Sequence, residues 1–247
     1  CLAVTMMPMF SFAAETDGNA GLNDDITVIY SSDINGGVDT NIGLAGMAAY
    51  VNEMKTKSRY VELVDAGNAL SGTVLASTSK GEYVVEALNA AGYSIAVPGV
   101  GEFSYGVDSL IGSLAKAADY QYISCNFTNT STGQTVFKPY KLVSYGNTKV
   151  AYVGISDPDI LARYEAYFKN SDGSYAYSFA DGNNGKDLYA SVQTAIDTAK
   201  AEGAQYVIAI GSLRDAEDQA YTAKSIIENT SGINAFINSN SDKASAG

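Results

Sequence analysis

The stretch SIAVPGVGEFSYG, residues 94–106, decides how the chain folds. Its first part is a short apolar run typical of a buried strand, and its second part is a glycine-rich loop. In an open α/β sheet, the loops that follow the carboxyl ends of strands carry the ligand-binding side chains. The loop GVGEFSYG, residues 99–106, has that position, yet Glu102 is its only carboxylate. We therefore interpret it as a site loop that has lost most of its reactive groups.

The same loop also resembles a dinucleotide-binding fingerprint, but it does not satisfy one. The pattern G-x-G-x-x-G needs a third glycine for close packing of helix on strand. Ser104 stands at that position. The loop is therefore not interpreted as a dinucleotide site.

Strand, loop and helix recur in this order along the chain, which indicates an α/β domain. Apolar strands end in further polar loops, whose side chains we expect to meet at one edge of the fold. These loops are SSDINGG (31–37), DAGNALSG (65–72), GVGEFSYG (99–106), GSLRD (211–215) and NSNSD (238–242). Residues 164–186 are rich in Gly, Asn, Ser, Tyr and Asp, which predicts a long surface loop.

Composition excludes several classes of function. The 247 residues include 27 acidic and 15 basic side chains, a net charge of −12, which argues against nucleic-acid binding and against an anionic membrane surface. The chain has no histidine, so it lacks the commonest general base and the commonest transition-metal ligand. The two cysteines, Cys1 and Cys125, do not have the spacing of a zinc site.

The N-terminal segment CLAVTMMPMFSFAA, residues 1–14, is uncharged and apolar and ends in small residues. This pattern is typical of the end of a secretory signal peptide, and we expect cleavage near Ala13 or Ala14. A disordered hydrophobic tail is the alternative. The signal interpretation predicts a secreted or cell-surface protein. No later run is long enough for a transmembrane helix.

Several longer segments resemble one known family. They are IGLAGMAAYVNEMK, KGEYVVEALNAAGYSIAVPG, GEFSYGVDSL, YISCNFTNTSTGQTVFKPYKLV and KVAYVGIS. With the five loops, they make the chain similar to the N-terminal metallophosphoesterase (calcineurin-like) domain of secreted bacterial 5′-nucleotidases. The resemblance implies an α/β sandwich of two central mixed β-sheets flanked by helices. It also implies one domain over residues 25–247, truncated at its C-terminus and without the nucleotidase C-terminal domain.

In that family the loops hold two divalent metal ions that clamp a phosphate ester and activate water. The family's ligand positions fall here on Asp33, Asn35, Asn68, Val100, Ser212, Asn240 and Asp242. Only Asp33 keeps the family's residue. Asn68 replaces the aspartate that bridges the two metals, and an amide is a poor bridging ligand. The resemblance therefore implies a degenerate metal site.

The family's catalytic His–Asp dyad is also replaced. Its histidine corresponds to Gly101, and the aspartate that orients the histidine corresponds to Ser104. Two other carboxylates, Asp65 and Glu102, could be taken for an acid–base pair, but their counterparts in the family brace loops. We therefore expect them to have a structural role.

These replacements predict a pseudoenzyme with a binding or scaffold role, whose partner is a surface ligand, a protein or a nucleotide. We expect no cofactor. A single Ca²⁺ or Mg²⁺ held by the remaining oxygen atoms is one alternative, since these hard cations accept carboxylate and amide oxygens. Hydrogen bonding among the same side chains is the simpler reading, which we favour. The other alternative is a divergent metal-dependent phosphoesterase that hydrolyses nucleotides or related esters through an oxygen-ligated site.

Overall fold

The structure is a computed structural model that describes residues 22–214 and 221–239. It confirms the predicted sandwich of two β-sheets with flanking helices. Two of the predicted ligands, Asn240 and Asp242, and the predicted signal remnant at residues 1–14 lie outside the described residues.

The first sheet has four strands in the order β1–β2–β3–β4, formed by Asn23–Ser31, Ser58–Asp65, Ile95–Ala96 and Gln121–Tyr122. All its strand pairs are parallel, whereas the sequence predicted a mixed sheet. The difference follows from the connections. Parallel neighbours need a crossover, and helical segments occupy each crossover of this sheet.

The second sheet is mixed, as predicted, in the order β10–β9–β7–β6. Its strands are β6 (Tyr140–Tyr145), β7 (Thr148–Ser156), β9 (Tyr206–Ser212) and β10 (Ala235–Asn238). Strands β6 and β7 form an antiparallel hairpin, and the other two pairs are parallel. Apolar side chains of the two sheets, among them Val64, Ile95 and Ile210, form one buried cluster.

Helices cover the outer faces of both sheets. They are α1 (Gly43–Lys55), α2 (Val74–Thr78), α3 (Glu82–Ala91), α4 (Val107–Ser109), α5 (Ala115–Ala117), α6 (Asp159–Arg163), α7 (Lys186–Ala201) and α8 (Ala223–Asn229). A π-helical turn, Leu110–Leu114, joins α4 to α5. Among the described residues, no helix is both long and apolar enough to span a membrane.

Residues 164–186 contain more structure than the predicted surface loop. A 3₁₀ turn, Glu165–Phe168, is followed by strand β8, Tyr177–Phe179, which pairs antiparallel with β5, Phe127–Asn129. Phe168 and Phe179 are buried in the main core. The sequence did not reveal this packing, because the segment is mostly polar. A few buried aromatic side chains can nevertheless hold such a segment against the core.

Candidate functional site

The first two site loops run side by side, because the carboxyl ends of β1 and β2 are level in the sheet. Ser31 pairs with Asp65 at the last position of the ladder. Beyond the strands, the Asp33 N–H donates to the Gly67 carbonyl at 3.0 Å, and the Asn35 N–H donates to the Asn68 carbonyl at 2.8 Å. The backbone therefore continues the pairing into the loops and fixes their relative positions.

Asn68 links three of these loops through its side chain. Its Nδ2 donates to Asp33 Oδ1 at 2.8 Å, and its Oδ1 accepts the Gly101 N–H at 3.1 Å. The residue is buried, with 5% of its surface exposed. The amide thus supplies a donor to the first loop and an acceptor to the third.

Gly99 and Ser212 bring the loop after β9 against the second and third loops. A Cβ atom on Gly99 would clash with Ser212 Oγ and would lie 2.6 Å from Asn68 Oδ1. Ser212 is fully buried, and its hydroxyl accepts a hydrogen bond from Ser239 Oγ at 3.0 Å. Only glycine allows this approach, so the inner part of the site is closely packed with protein atoms.

Glu102 braces the second and third loops from beneath. Its carboxylate accepts the backbone N–H groups of Asn68, Ala69, Leu70 and Gly99 at 2.7 to 3.2 Å. Burial raises the pKa of Glu102, while these hydrogen bonds lower it. This geometry fits the predicted structural role, since the carboxylate is engaged by the loops that it holds.

Asp65 has a similar role at the end of β2. It accepts hydrogen bonds from Ser31 Oγ at 2.6 Å and from the Gly67 N–H at 2.8 Å, and Tyr93 donates to the same Ser31 hydroxyl at 2.8 Å. Burial, and secondarily the negative charge of Glu102, raises the pKa of Asp65 well above its usual value. Asp65 and Glu102 therefore face the protein interior and not a common reaction centre.

We expect Asp65→Asn to flatten the dependence of stability on pH. The pKa of Asp65 is higher in the folded chain than in the unfolded chain, so the unfolded chain loses this proton at a lower pH. The contribution of Asp65 to the free energy of unfolding is therefore largest at low pH and is lost as the pH rises through the folded pKa. Each unit of pKa difference is worth about 1.4 kcal/mol. Urea unfolding at pH 5 and pH 8 should show a smaller decrease for Asp65→Asn than for the unmodified chain. The exposed control Asp197→Asn should keep the original decrease, and equal slopes for all three proteins would contradict the prediction.

The two dyad positions are occupied in different ways. Gly101 lies against the second loop, where a Cβ atom would be 3.1 Å from Asn68 Cα and 3.3 Å from Ser71 Oγ. Ser104 forms hydrogen bonds with Ser71 Oγ at 3.0 Å and with the Tyr164 hydroxyl at 2.9 Å. Ser104, where the resemblance implies an orienting carboxylate, is thus the middle member of a chain of three hydroxyl groups.

The structure brings most of the described candidates together, though not all. Asp33, Asn68, Gly101 and Ser212 meet at the strand ends, as described above. Asn35 is exposed, and its Nδ2 donates to the Asp33 carbonyl at 2.8 Å. Val100 begins a 3₁₀ turn and packs on the main hydrophobic core.

Several polar residues of this region were not predicted from the sequence. They are Ser31, Ser71, Tyr93, Tyr164 and Ser239. Serine and tyrosine are frequent in this chain, and single hydroxyl groups carry no motif. Only their positions at the end of β1 and in the loops after β2 and β10 could have indicated the three serines.

Three of the predicted site positions have left-handed backbone conformations. The φ angles are 53° at Asp33, 50° at Asn35 and 63° at Asn68. Asn and Asp tolerate this region better than other residues with side chains. Clustering of such conformations is typical of functional sites, where the surrounding structure maintains the strain.

Among the candidate positions that the structure describes, the donor atoms are the Asp33 carboxylate, carboxamides and hydroxyls. Within residues 22–214 and 221–239, no group of three or more His, Cys, Asp or Glu side chains is placed to hold a metal ion. At Asn68, where the resemblance implies a bridging carboxylate, the side-chain amide directs an N–H toward Asp33. A donor hydrogen there competes with a cation for the same carboxylate oxygen.

Comparisons with known proteins identify relatives of this fold. No protein-family model matches the chain. It is 26% identical over 217 residues to a snake venom 5′-nucleotidase of Crotalus adamanteus, covering 81% of this chain and 35% of that protein. It is 28% identical over 254 residues to the trifunctional nucleotide phosphoesterase YfkN of Bacillus subtilis, covering 92% of this chain and 16% of that protein.

The crystal structure of the calcineurin-like phosphoesterase YfkN from Bacillus subtilis has the same fold. The TM-score is 0.72 at 23% sequence identity, over 87% of this chain and 71% of that chain. The chain spans about a third or less of the length of the two sequence relatives. It is a homologue of 5′-nucleotidases and calcineurin-like phosphoesterases, and the N-terminal domain of that family fits its fold.

Proposed function

We propose that this chain is a 5′-nucleotidase-like domain that has lost two-metal phosphoesterase chemistry and acts by binding. The observation that carries the proposal is the hydrogen bond of 2.8 Å from Asn68 Nδ2 to Asp33 Oδ1. Where the family resemblance implies a carboxylate shared by two cations, an amide donor lies against Asp33, the one ligand position that keeps the family's residue. The N–H group of Asn68 gives the Asp33 carboxylate the partial positive charge that a metal ion would otherwise provide.

The surrounding contacts support this proposal. The Gly101 N–H donates to Asn68 Oδ1 at 3.1 Å, and Ser239 Oγ donates to Ser212 Oγ at 3.0 Å. Without a metal, buried polar groups that are hydrogen-bonded to each other cost no free energy for lost contact with water. These residues therefore do not fit a two-metal centre, and no reaction step is assigned to them.

The place and partners of the domain are part of the same proposal. The apolar segment at residues 1–14 favours a secreted or cell-surface location, and one relative is a venom 5′-nucleotidase. The net charge of −12 disfavours nucleic acid and other polyanions. A surface ligand or a protein is the favoured partner, and a nucleotide is disfavoured unless a cation offsets its charge.

Calorimetric titration of the metal-stripped protein with Mn²⁺, Zn²⁺, Mg²⁺ and Ca²⁺ tests the proposal, together with a phosphatase assay on AMP and p-nitrophenyl phosphate. We expect no binding of two ions at millimolar metal and no hydrolysis above the uncatalysed rate. A metal-binding relative such as YfkN is the positive control. Binding of two ions with metal-dependent hydrolysis would overturn the proposal in favour of a divergent phosphoesterase. One weakly bound Ca²⁺ or Mg²⁺ without hydrolysis would indicate a remnant of the ancestral site.

A further inference from the structure

Residues 163–177, here named the tyrosine lobe, present aromatic rings beside the third site loop. Tyr164 and Tyr167 are stacked, with ring centroids 5.9 Å apart and an interplanar angle of 21°. Tyr167 is 49% exposed and Tyr175 is 37% exposed. Exposed tyrosines are frequent at binding surfaces, because the ring is apolar and the hydroxyl group is polar.

Packing against the core and contacts within the lobe hold it in place. Phe168 is fully buried and packs on Phe103 at a centroid distance of 5.4 Å. The Ala176 N–H donates to the Phe168 carbonyl at 2.8 Å, which closes the lobe across its base. The Tyr175 hydroxyl donates to Glu165 at 2.6 Å, and the Lys169 ammonium lies 5.0 Å from the centre of the Tyr175 ring. Preordered rings lose little conformational freedom when a ligand binds.

The lobe is electrically neutral within a strongly acidic chain. Its charged residues are Arg163 and Lys169 against Glu165 and Asp172, which sum to zero, whereas the whole chain carries −12. Lys169 and Glu165 also form an ion pair at 2.6 Å. A basic peptide would gain nothing from this neutral surface and would be drawn to acidic parts of the molecule. The charge pattern therefore favours an uncharged ligand.

The chemistry of the exposed groups narrows the ligand further. The only large hydrophobic side chains that the lobe exposes are tyrosines, each of which joins an apolar ring to a hydroxyl group that can form hydrogen bonds. Sugar rings combine C–H faces with hydroxyl groups. Their C–H groups can pack on the electron-rich face of an aromatic ring, while their hydroxyls bond to phenol, serine and carboxylate oxygens.

We propose that the tyrosine lobe binds a neutral polysaccharide through Tyr167 and Tyr175. This inference rests on the proposed binding role and names the ligand class for it. The hydroxyl chain from Tyr164 through Ser104 to Ser71 places further polar groups beside the rings. The ligand would lie across the lobe, outside the packed inner part of the ancestral metal site.

Native affinity electrophoresis tests this inference with soluble starch, mixed-linkage β-glucan or galactomannan cast into the gel. We expect at least one of them to retard the unmodified chain. The double variant Tyr167→Ala with Tyr175→Ala should bind at least tenfold more weakly. The matched control is Tyr83→Ala, which removes a tyrosine that is 52% exposed on α3 and should leave retardation unchanged. Tyr167→Phe should also be retained, because it keeps the ring.

Absence of retardation by all three polysaccharides would overturn the inference. Equal retardation of the double variant and the unmodified chain would overturn it as well, because the binding would then lie elsewhere. Circular dichroism of each variant establishes that the fold is kept, and the single variant Tyr167→Ala tests the lobe without touching the bond to Glu165. Either negative result leaves the metal and phosphatase measurements unaffected. The failure of this inference is thus distinguishable from failure of the proposed loss of catalysis.

Discussion

Glu102→Ala is expected to destabilise the protein by about 3–5 kcal/mol, the cost typical of breaking a buried charged hydrogen-bond network. The carboxylate accepts backbone N–H groups from Asn68, Ala69, Leu70 and Gly99. Truncation leaves these donors buried without a partner, and each unsatisfied group costs about 1–3 kcal/mol before relaxation or entry of water. Urea unfolding followed by circular dichroism measures the loss.

The matched control for this experiment is Glu86→Ala on the exposed face of α3, which should change stability by less than about 0.5 kcal/mol. Glu102→Gln should fall between the two, because its carbonyl oxygen still accepts while its amide group cannot. If Glu102→Ala were no less stable than Glu86→Ala, the carboxylate would not be the brace that joins the two loops.

Much of the fold could be predicted from the sequence, because apolar strands and glycine-rich loops alternate clearly. The all-parallel first sheet could not, since strand direction depends on tertiary connections. Strand β3 has only two residues in its ladder, Ile95 and Ala96, yet it joins β2 to β4. The apolar run predicted a buried strand here, but its partners β2 and β4 come from separate parts of the chain, which a local pattern cannot identify.

The meeting of the loops could be predicted from the sequence, but the contacts between their side chains could not. The loops containing Asp33, Asn68 and Gly101 meet as the resemblance implied. The sequence could not show that the Asn68 amide donates to Asp33, because that depends on a backbone φ of 63° and on the approach of a separate loop. The closeness of Gly99 to Ser212 likewise joins residues far apart in the chain.

Asn68→Asp is expected to destabilise the metal-free protein by about 1–3 kcal/mol at pH 8. The substitution replaces the donor that lies 2.8 Å from Asp33 Oδ1 with a second carboxylate oxygen. Two such carboxylates cannot both ionise without mutual repulsion, so the cost should shrink as pH falls and one of them takes up a proton. Urea unfolding at pH 5 and pH 8, with a chelator present, measures both effects.

The neutral control Asn68→Gly removes the same side chain and tolerates the φ of 63°, so its loss of stability should not depend on pH through this pair.

Addition of millimolar Mn²⁺ then separates two interpretations of the loops. If they retain the arrangement of a metal site, Mn²⁺ should stabilise Asn68→Asp, by about 2.7 kcal/mol when the metal is at a hundred times its Kd. The unmodified chain and Asn68→Gly should not respond, because neither has a carboxylate facing Asp33 from position 68. An Asn68→Asp protein as stable as the unmodified chain at pH 8 would show that the amide does not replace the cation there.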